Sequence, residues 1–253
     1  TRSAIQQAFK FLVNPESPAS GGAFRNLEIV VPAGSCFDPD PEAAYLHYGP
    51  HLMLAIDLVV KALSDAVPDR AAAGHVGDSW NISFMNALGQ PSFLAGESLI
   101  GGWGGWEGGD GESALIHSAA GDFKNVPVET IEQRYPLRIN RHAFREGSGG
   151  TGRFRGGLGI ERFYEALEDS RLSLWFERAK NPSWGLRGGE AGAAPEVYVT
   201  MPGKPRELIL KTNALPISAG TTFEVLTGGG GGWGIPSERD REAVAEDRRL
   251  GLA

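Results

Sequence analysis

The chain has almost no cysteine: Cys36 alone in 253 residues. An internal disulfide framework is excluded, so burial and hydrogen bonding must hold the fold. No obvious base flanks Cys36, which reads as a buried or inert thiol rather than a nucleophile. Long apolar runs are missing as well. No stretch approaches the ~20 residues that a membrane-spanning helix needs, and residues 1–13 lack the apolar core and cleavage site of a secretory signal. Positive charge is in deficit: a formal net charge of -7 argues against nucleic acid or an anionic membrane surface as the main partner. Basic residues between Arg134 and Arg155 are interspersed with acidic ones and read as a solvated face or a local contact. The cytoplasm is the expected compartment. The first residue is Thr1 rather than methionine, which points to a processed or truncated chain, or to part of a longer polypeptide.

The common catalytic signatures are also absent. There is no GxxxxGK[ST] phosphate loop, and no HExxH pair to hold zinc on one helical face. Ser148 lies in EGSGG, where Glu146 occupies the first glycine position of the GxSxG nucleophile elbow. His47 and His51 have the i, i+4 spacing of two ligands, but Gly49-Pro50 lies between them and disfavours continuous helix. His75, His117 and His142 stand alone, and a structural role is the better reading for each.

Glycine is what the chain has in excess. Its 36 glycines are roughly double the average usage. They follow no collagen period and are mixed with aromatics, so they predict tight turns and close backbone approaches rather than disorder. GGWGGWEGGDG at residues 101–111 is not followed by a helix that could aim its amides at a phosphate. GGGGGWG at 228–234 precedes a helix and leaves room for an anion site, although close packing explains it better.

Apolar spacing predicts helices over residues 4–13 and 49–66, the second with Pro50 in its first turn. A short strand is expected at 27–31. β-prone runs follow at 80–84, 137–139, 160–164, 172–176, 197–201, 208–211 and 222–226, many separated by glycine-rich turns. The tail, 237–250, returns to helix with Ser237 as its expected cap and Asp240 three residues on. The fold class is α+β: a helix-containing part over residues 1–74, then a β-rich, largely antiparallel region with glycine-rich turns and a C-terminal helix over 75–253. The richest polar stretch is NVPVETIEQRYPLR at 125–138, where Glu129 and Glu132 would share a helical face. Such a pair suits acid/base work or metal binding, or equally a surface feature partnered by arginine.

These segments, taken in order, resemble the C-terminal half of the hydantoinase B family. The most specific block is NVPVETIEQRYPLRINRHAFREGSGGTGRFRGGLG at residues 125–159. It is similar to the family's Asn-x-Pro-x-Glu, Glu-x-x-Tyr-Pro and Ser-Gly-Gly-x-Gly-x-x-Arg-Gly-Gly-x-Gly run. Upstream, Glu97 through Gly102 and Gly109-Asp110-Gly111 resemble the family's glycine segment ending in Asp-Gly; downstream, PSWGLRGG at 182–189 and GGGGWGIP at 229–236 resemble its glycine turns. The chain departs from the pattern at Gly147 and Ile235, each standing where the family commonly has Asp, and at Trp103 and Trp106, which make the glycine segment unusually aromatic.

The resemblance implies a subunit or fragment of an ATP-dependent cyclic-amide hydrolase of hydantoinase or oxoprolinase type, inactive alone. The alternatives are a subunit of an ATP-dependent ketone carboxylase of acetone or acetophenone type, and a noncatalytic scaffold of such a complex. ATP and a divalent metal are expected in the complete complex, bound mainly outside this chain. The family's first half carries the Asp and His residues expected to hold the metal, and that region has no counterpart here. Expected partners are a hydantoinase A-like ATP-binding subunit, an N-terminal hydantoinase B half on the same or another chain, and a small cyclic amide or ketone. For a polar pocket the resemblance offers Asn125, Glu129 and Asp110 as catalytic candidates and Arg155 as an anion or substrate contact. Asn and Asp also commonly stabilise glycine turns through side-chain to backbone hydrogen bonds.

Overall fold

A computed structural model describes residues 1–44, 48–86, 93–121 and 124–252. Strands β1 (Asn81–Asn86), β2 (Leu94–Ser98), β3 (Leu137–Phe144), β4 (Ile160–Ala166), β5 (Ser170–Trp175), β6 (Glu196–Thr200), β7 (Glu207–Leu208), β8 (Lys211–Ile217) and β9 (Thr222–Leu226) form two sheets. Their orders are β2-β1-β5-β8 and β3-β4-β9-β6-β7, and every strand pair is antiparallel. Alternation drives the pairing of the two sheets. Ile82 and Phe84 of β1 and Leu172 and Leu174 of β5 point inward from one sheet, and Tyr164, Val197, Val199, Phe223 and Val225 from the other. The rings of Phe84 and Phe223 meet with centroids 4.8 Å apart, and each such fully buried side chain contributes roughly 1.5–3 kcal/mol. The fold is therefore the expected α+β, with an antiparallel sandwich as its body.

Four helices accompany the sandwich among the described residues: α1 (Arg2–Val13), α2 (Tyr48–Leu63), α3 (Val128–Arg134) and α4 (Arg241–Leu250). Ala4, Ala8 and Leu12 recur at four-residue spacing and put one buried face on α1. The two alanines let it lie close against Ala55 and Ile56 of α2. Arg70 donates to the carbonyls of Leu12 and Val13 at 3.0 and 2.9 Å, satisfying the free end of α1.

Four local expectations are corrected. Residues 27–31 are not a strand: Val30 is 81% exposed, and a β-prone run without a neighbouring edge gains no ladder. The run at 208–211 is not one strand either, because β7 pairs in the five-stranded sheet and β8 in the other. Helix α2 stops at Leu63, where Ser64 turns its hydroxyl back onto the Lys61 carbonyl. The last helix is capped by Asp240, not Ser237. Pro236–Glu238 form a separate 3-10 turn, and the Asp240 carboxylate accepts from the amides of Glu242 and Ala243.

The glycine-rich segments mostly serve as rods rather than turns. Residues 228–234 run through the middle of a bundle, and their backbone bonds point outward in three directions. Gly228 O accepts from Gly102 N and Gly231 O from Gly105 N, while Gly231 N donates to Gly74 O. Gly229 N and Gly232 N donate to Ala193 O and Glu190 O. Gly230 bonds Gly157 and Gly150, and Trp233 exchanges a pair with Phe154. Residues three apart thus face the same neighbour, the period of a polyproline II helix, which has no internal bonds and must find partners outside itself. Only glycine permits this spacing. A Cβ on Gly230 would lie 1.8 Å from the Trp103 carbonyl oxygen.

Candidate functional site

The inner face of α2 carries a charge among apolar neighbours. Asp57 is 5% exposed, and its Oδ1 lies 3.0 Å from Nε2 of the fully buried His117. Nδ1 of His117 accepts from the Ala119 amide at 3.1 Å, which assigns the ring proton to Nε2, aimed at Asp57. His75, stacked on Trp103 with centroids 5.2 Å apart, is fixed the same way, its Nδ1 accepting from Gly104 N at 3.0 Å. Burial holds the His75 pKa below its ordinary value. Burial alone would raise the Asp57 carboxyl; the fields of His75, His117 and Arg178, with the His117 hydrogen bond, outweigh it and leave the group below the usual range.

Arg178 and Asp78 complete this cluster. Arg178 follows β5, is 9% exposed, and adopts a left-handed backbone conformation with φ 65°. Its guanidinium lies over the Trp184 ring, 4.9 Å from the centroid, and its Nε and Nη2 are buried without a hydrogen-bond partner. Asp57 Oδ2 also lacks one. Gly77 separates the two groups: a Cβ there would meet Asp57 Oδ2 at 3.4 Å and Arg178 Nε at 3.6 Å. The fully buried Asp78 accepts from the amides of Ser79 and Glu177, both at 2.8 Å, tying the approach to β1 to the segment after β5. Burial pushes its carboxyl up to about 7, against the pull of those two amides.

A cavity of about 680 Å³ opens beside this cluster, lined by Pro50, His51 and Leu54 of α2, by Gly77, by residues 176–181 and by Leu210 and Lys211. A second, of about 610 Å³, also touches His51 and reaches Thr1, Cys36 and Trp175. Among the described residues, no three His, Cys, Asp or Glu side chains are grouped to hold a metal ion. The described residues therefore offer no metal-binding set of their own. His47 lies outside the described residues, and His51 is exposed in the first turn of α2.

Of the residues singled out in the sequence, Asp110 and Arg155 come together. Asp110 accepts from the Arg155 amide at 2.8 Å and binds Arg239 through both oxygens at 2.7 and 2.8 Å. Asp247 of α4 accepts from Arg155 Nε at 3.0 Å and Arg239 Nε at 2.9 Å. This four-membered network fastens α4 to the glycine bundle. Asn125 and Glu129 are exposed before and on α3 and share no ion pair or hydrogen bond with that network among the described residues. Glu132 is occupied differently from its neighbour, accepting from the Ile139 amide at 2.8 Å. Cys36 is exposed rather than buried. Ser148 is buried between the Arg145 carbonyl and the Gly159 amide.

Sequence reasoning passed over Asp57, Asp78 and Arg178. Asp57 did leave a signal, a lone acid beside Ile56 on the apolar stripe of α2; Arg178 left none. The pairing of His117 with Asp57 spans 60 residues, beyond the reach of any local pattern.

An antiparallel sandwich joined to a bundle of glycine rods, with a buried charge cluster at the helical side, defines the class. Residues 1–236 match the sequence model of Hydantoinase B/oxoprolinase, and the chain belongs to that family. It is 36% identical over 248 residues to an uncharacterised protein of Methanocaldococcus jannaschii, covering 98% of this chain and 43% of that protein. It is 30% identical to a putative D-/L-hydantoinase component of Pseudomonas sp. (91% of this chain, 39% of that one). It is 32% identical to a 5-oxoprolinase of Pestalotiopsis fici (99% and 20%). The fold superposes on an ATP-dependent caprolactamase from Pseudomonas jessenii with TM-score 0.84 and 22% identity, covering 99% of this chain and 45% of that one. An acetone carboxylase in its nucleotide-free structure gives TM-score 0.78 and 21% identity, with 99% and 38% covered. The chain thus spans less than half the length of each of these relatives. No helix among the described residues is long and apolar enough to cross a membrane.

Proposed function

We propose that the chain is part of an ATP-dependent cyclic-amide hydrolase of the hydantoinase or oxoprolinase type, working in the cytoplasm. The observation that carries this reading is the family match over residues 1–236, joined to relatives named for hydantoinase and 5-oxoprolinase at 30% and 32% identity. The activity belongs to a larger assembly, because the chain spans only 39% and 20% of those two proteins. In this reading a hydantoinase A-like partner binds ATP, a further hydantoinase B segment holds the divalent metal, and this chain is inactive alone. Bound ATP supplies phosphoryl activation of the amide oxygen.

The chain's own contribution is a wall of the shared active site and a subunit contact. The cavity beside Arg178 is that wall. Asn125 and Glu129 are the exposed polar groups offered to substrate, and Asp110 and Arg155 act as positioning residues by fastening α4.

The test is ATP turnover by the assembled complex, first with hydantoin and 5-oxoproline, then with a ketone and bicarbonate. Ring-amide opening supports the proposal. Turnover only with ketone and bicarbonate reassigns the chain to a carboxylase, and loss of assembly without any loss of turnover from site variants leaves it a scaffold. Glu129→Gln should lower kcat at least tenfold while the subunits stay associated; unchanged turnover removes Glu129 from the site.

A further inference from the structure

We propose that the cavity at the start of α2 binds a small oxyanion, carboxylate or phosphate, through Arg178. Arg178 differs from the other buried arginines. Arg145, Arg155, Arg162 and Arg239 are all largely buried, and each reaches a carboxylate within 3.0 Å. Arg178 is buried too, yet its guanidinium has no hydrogen bond or ion pair among the described residues, and two of its nitrogens are orphaned. Buried N–H donors left without an acceptor are costly, a cost that an incoming anion offsets. The contact with the face of the Trp184 ring consumes none of its N–H donors.

The surroundings give the same sign. The first turn of the 16-residue α2 lines the cavity through Pro50 and His51, and a helix start carries a partial positive charge of about half a unit. Lys180 is exposed at the cavity wall and has no ion pair among the described residues. The acid of the wall, Glu177, is engaged by Lys211. Asp57 is the competing carboxylate, but it stands across Gly77 with its Oδ1 committed to His117. Asp78 is buried behind, its oxygens turned to the Ser79 and Glu177 amides. The left-handed backbone of Arg178, with φ 65°, is strained for a long side chain, which suits a position that directs a guanidinium. Phe176, Leu54 and Leu210 supply apolar wall, which suits an oxyanion on a short aliphatic body.

That a ring-opened amide is the natural ligand rests on the proposed function; oxyanion binding does not, and it is measured without turnover. The intact protein is titrated calorimetrically with inorganic phosphate and, separately, with glutarate. At least one should bind at a single site, and Arg178→Gln should weaken it tenfold or more. Lys180→Ala changes only an exposed side chain, so it keeps the fold and should weaken the same probe two- to fivefold. Preference between the probes tells phosphate from carboxylate. The inference is overturned if neither probe binds the wild-type protein, or if Lys180→Ala and any folded Arg178→Gln bind as tightly as wild type. Oxyanion binding in a complex that opens no ring amide would overturn the proposed function alone.

Discussion

Replacing Gly230 by alanine should remove much of the chain's stability. An ideal Cβ at this position falls 1.8 Å from the carbonyl oxygen of Trp103, 2.2 Å from its carbon and 2.8 Å from Gly104 N. Ordinary contact needs about 3.4 Å or more between such atoms, so the 103–104 backbone must move by well over an ångström. That backbone cannot move freely. Trp103 O accepts from Gly157 N at 2.8 Å, and the Trp103 amide donates to Glu112 O at 2.9 Å. Gly230 itself donates to Gly157 O and accepts from Gly150 N. Overpacking against adaptable side chains costs about 1–3 kcal/mol, and each buried backbone bond left unmade adds roughly 1–3 kcal/mol. Two broken bonds therefore bring the loss to about 3 kcal/mol or more, against a typical total stability of about 5–15 kcal/mol. Urea unfolding followed by tryptophan fluorescence measures it. Gly21→Ala is the control, since nothing lies within 4 Å of a Cβ there and its φ is not left-handed; it should stay within about 0.5 kcal/mol of wild type. A Gly230→Ala protein within about 1 kcal/mol of wild type would refute the rod packing described above.

Asp57→Ala strands the buried Nε2–H of His117 and removes the charge facing Arg178, and should cost about 3–5 kcal/mol. Hydrogen exchange should accelerate in α1 and α2 before it does in β4 and β9; uniform acceleration would count against a cluster that docks the helices. The Asp78 carboxyl is raised to about 7 by burial, above its unfolded value of 3.8. Its contribution to stability is thus full below the unfolded pKa and is lost as pH rises towards 7. Asp78→Asn keeps a single acceptor for two amides and should be the less stable protein at pH 5. That gap should narrow by about 1 kcal/mol per pH unit up to pH 7. Urea midpoints at pH 5, 6, 7 and 8 check this, and a gap that does not change between pH 5 and 7 would contradict the raised pKa.

The strands were legible because their signal is local. The alternation of Ile160, Arg162, Tyr164 and Ala166 along β4, or of Phe223 and Val225 in β9, follows from one face meeting the other sheet. Arg162 breaks the apolar pattern on the buried face and is accommodated only because Glu97 of β2 binds it at 2.8 Å and Tyr164 joins them, donating to Glu97 at 2.6 Å. The glycine rods were half legible. Their composition announced close backbone approach, but the threefold exchange of bonds depends on segments as remote from the rod as Gly74, Gly102, Gly150 and Ala193. The charge cluster was hidden for the same reason: Asp57, His75, His117 and Arg178 come from four separate stretches of chain. Caps and strand ends failed on smaller grounds, as Asp240 offered a carboxylate to two amides where Ser237 lay inside another turn.

The central rod has a consequence for the order in which the molecule is completed. It follows directly on β9, which sits between β4 and β6, so residues 222–234 act as one keystone reaching from the middle of a sheet to the middle of the bundle. Every segment around it is earlier in the chain. During synthesis, domains assemble from the N-terminal side at about 5–20 residues per second, and those earlier segments emerge with their inward amides unanswered. Until residue 234 is available the interior is a socket, and a chaperone or a premature partner would meet exposed backbone rather than exposed side chains.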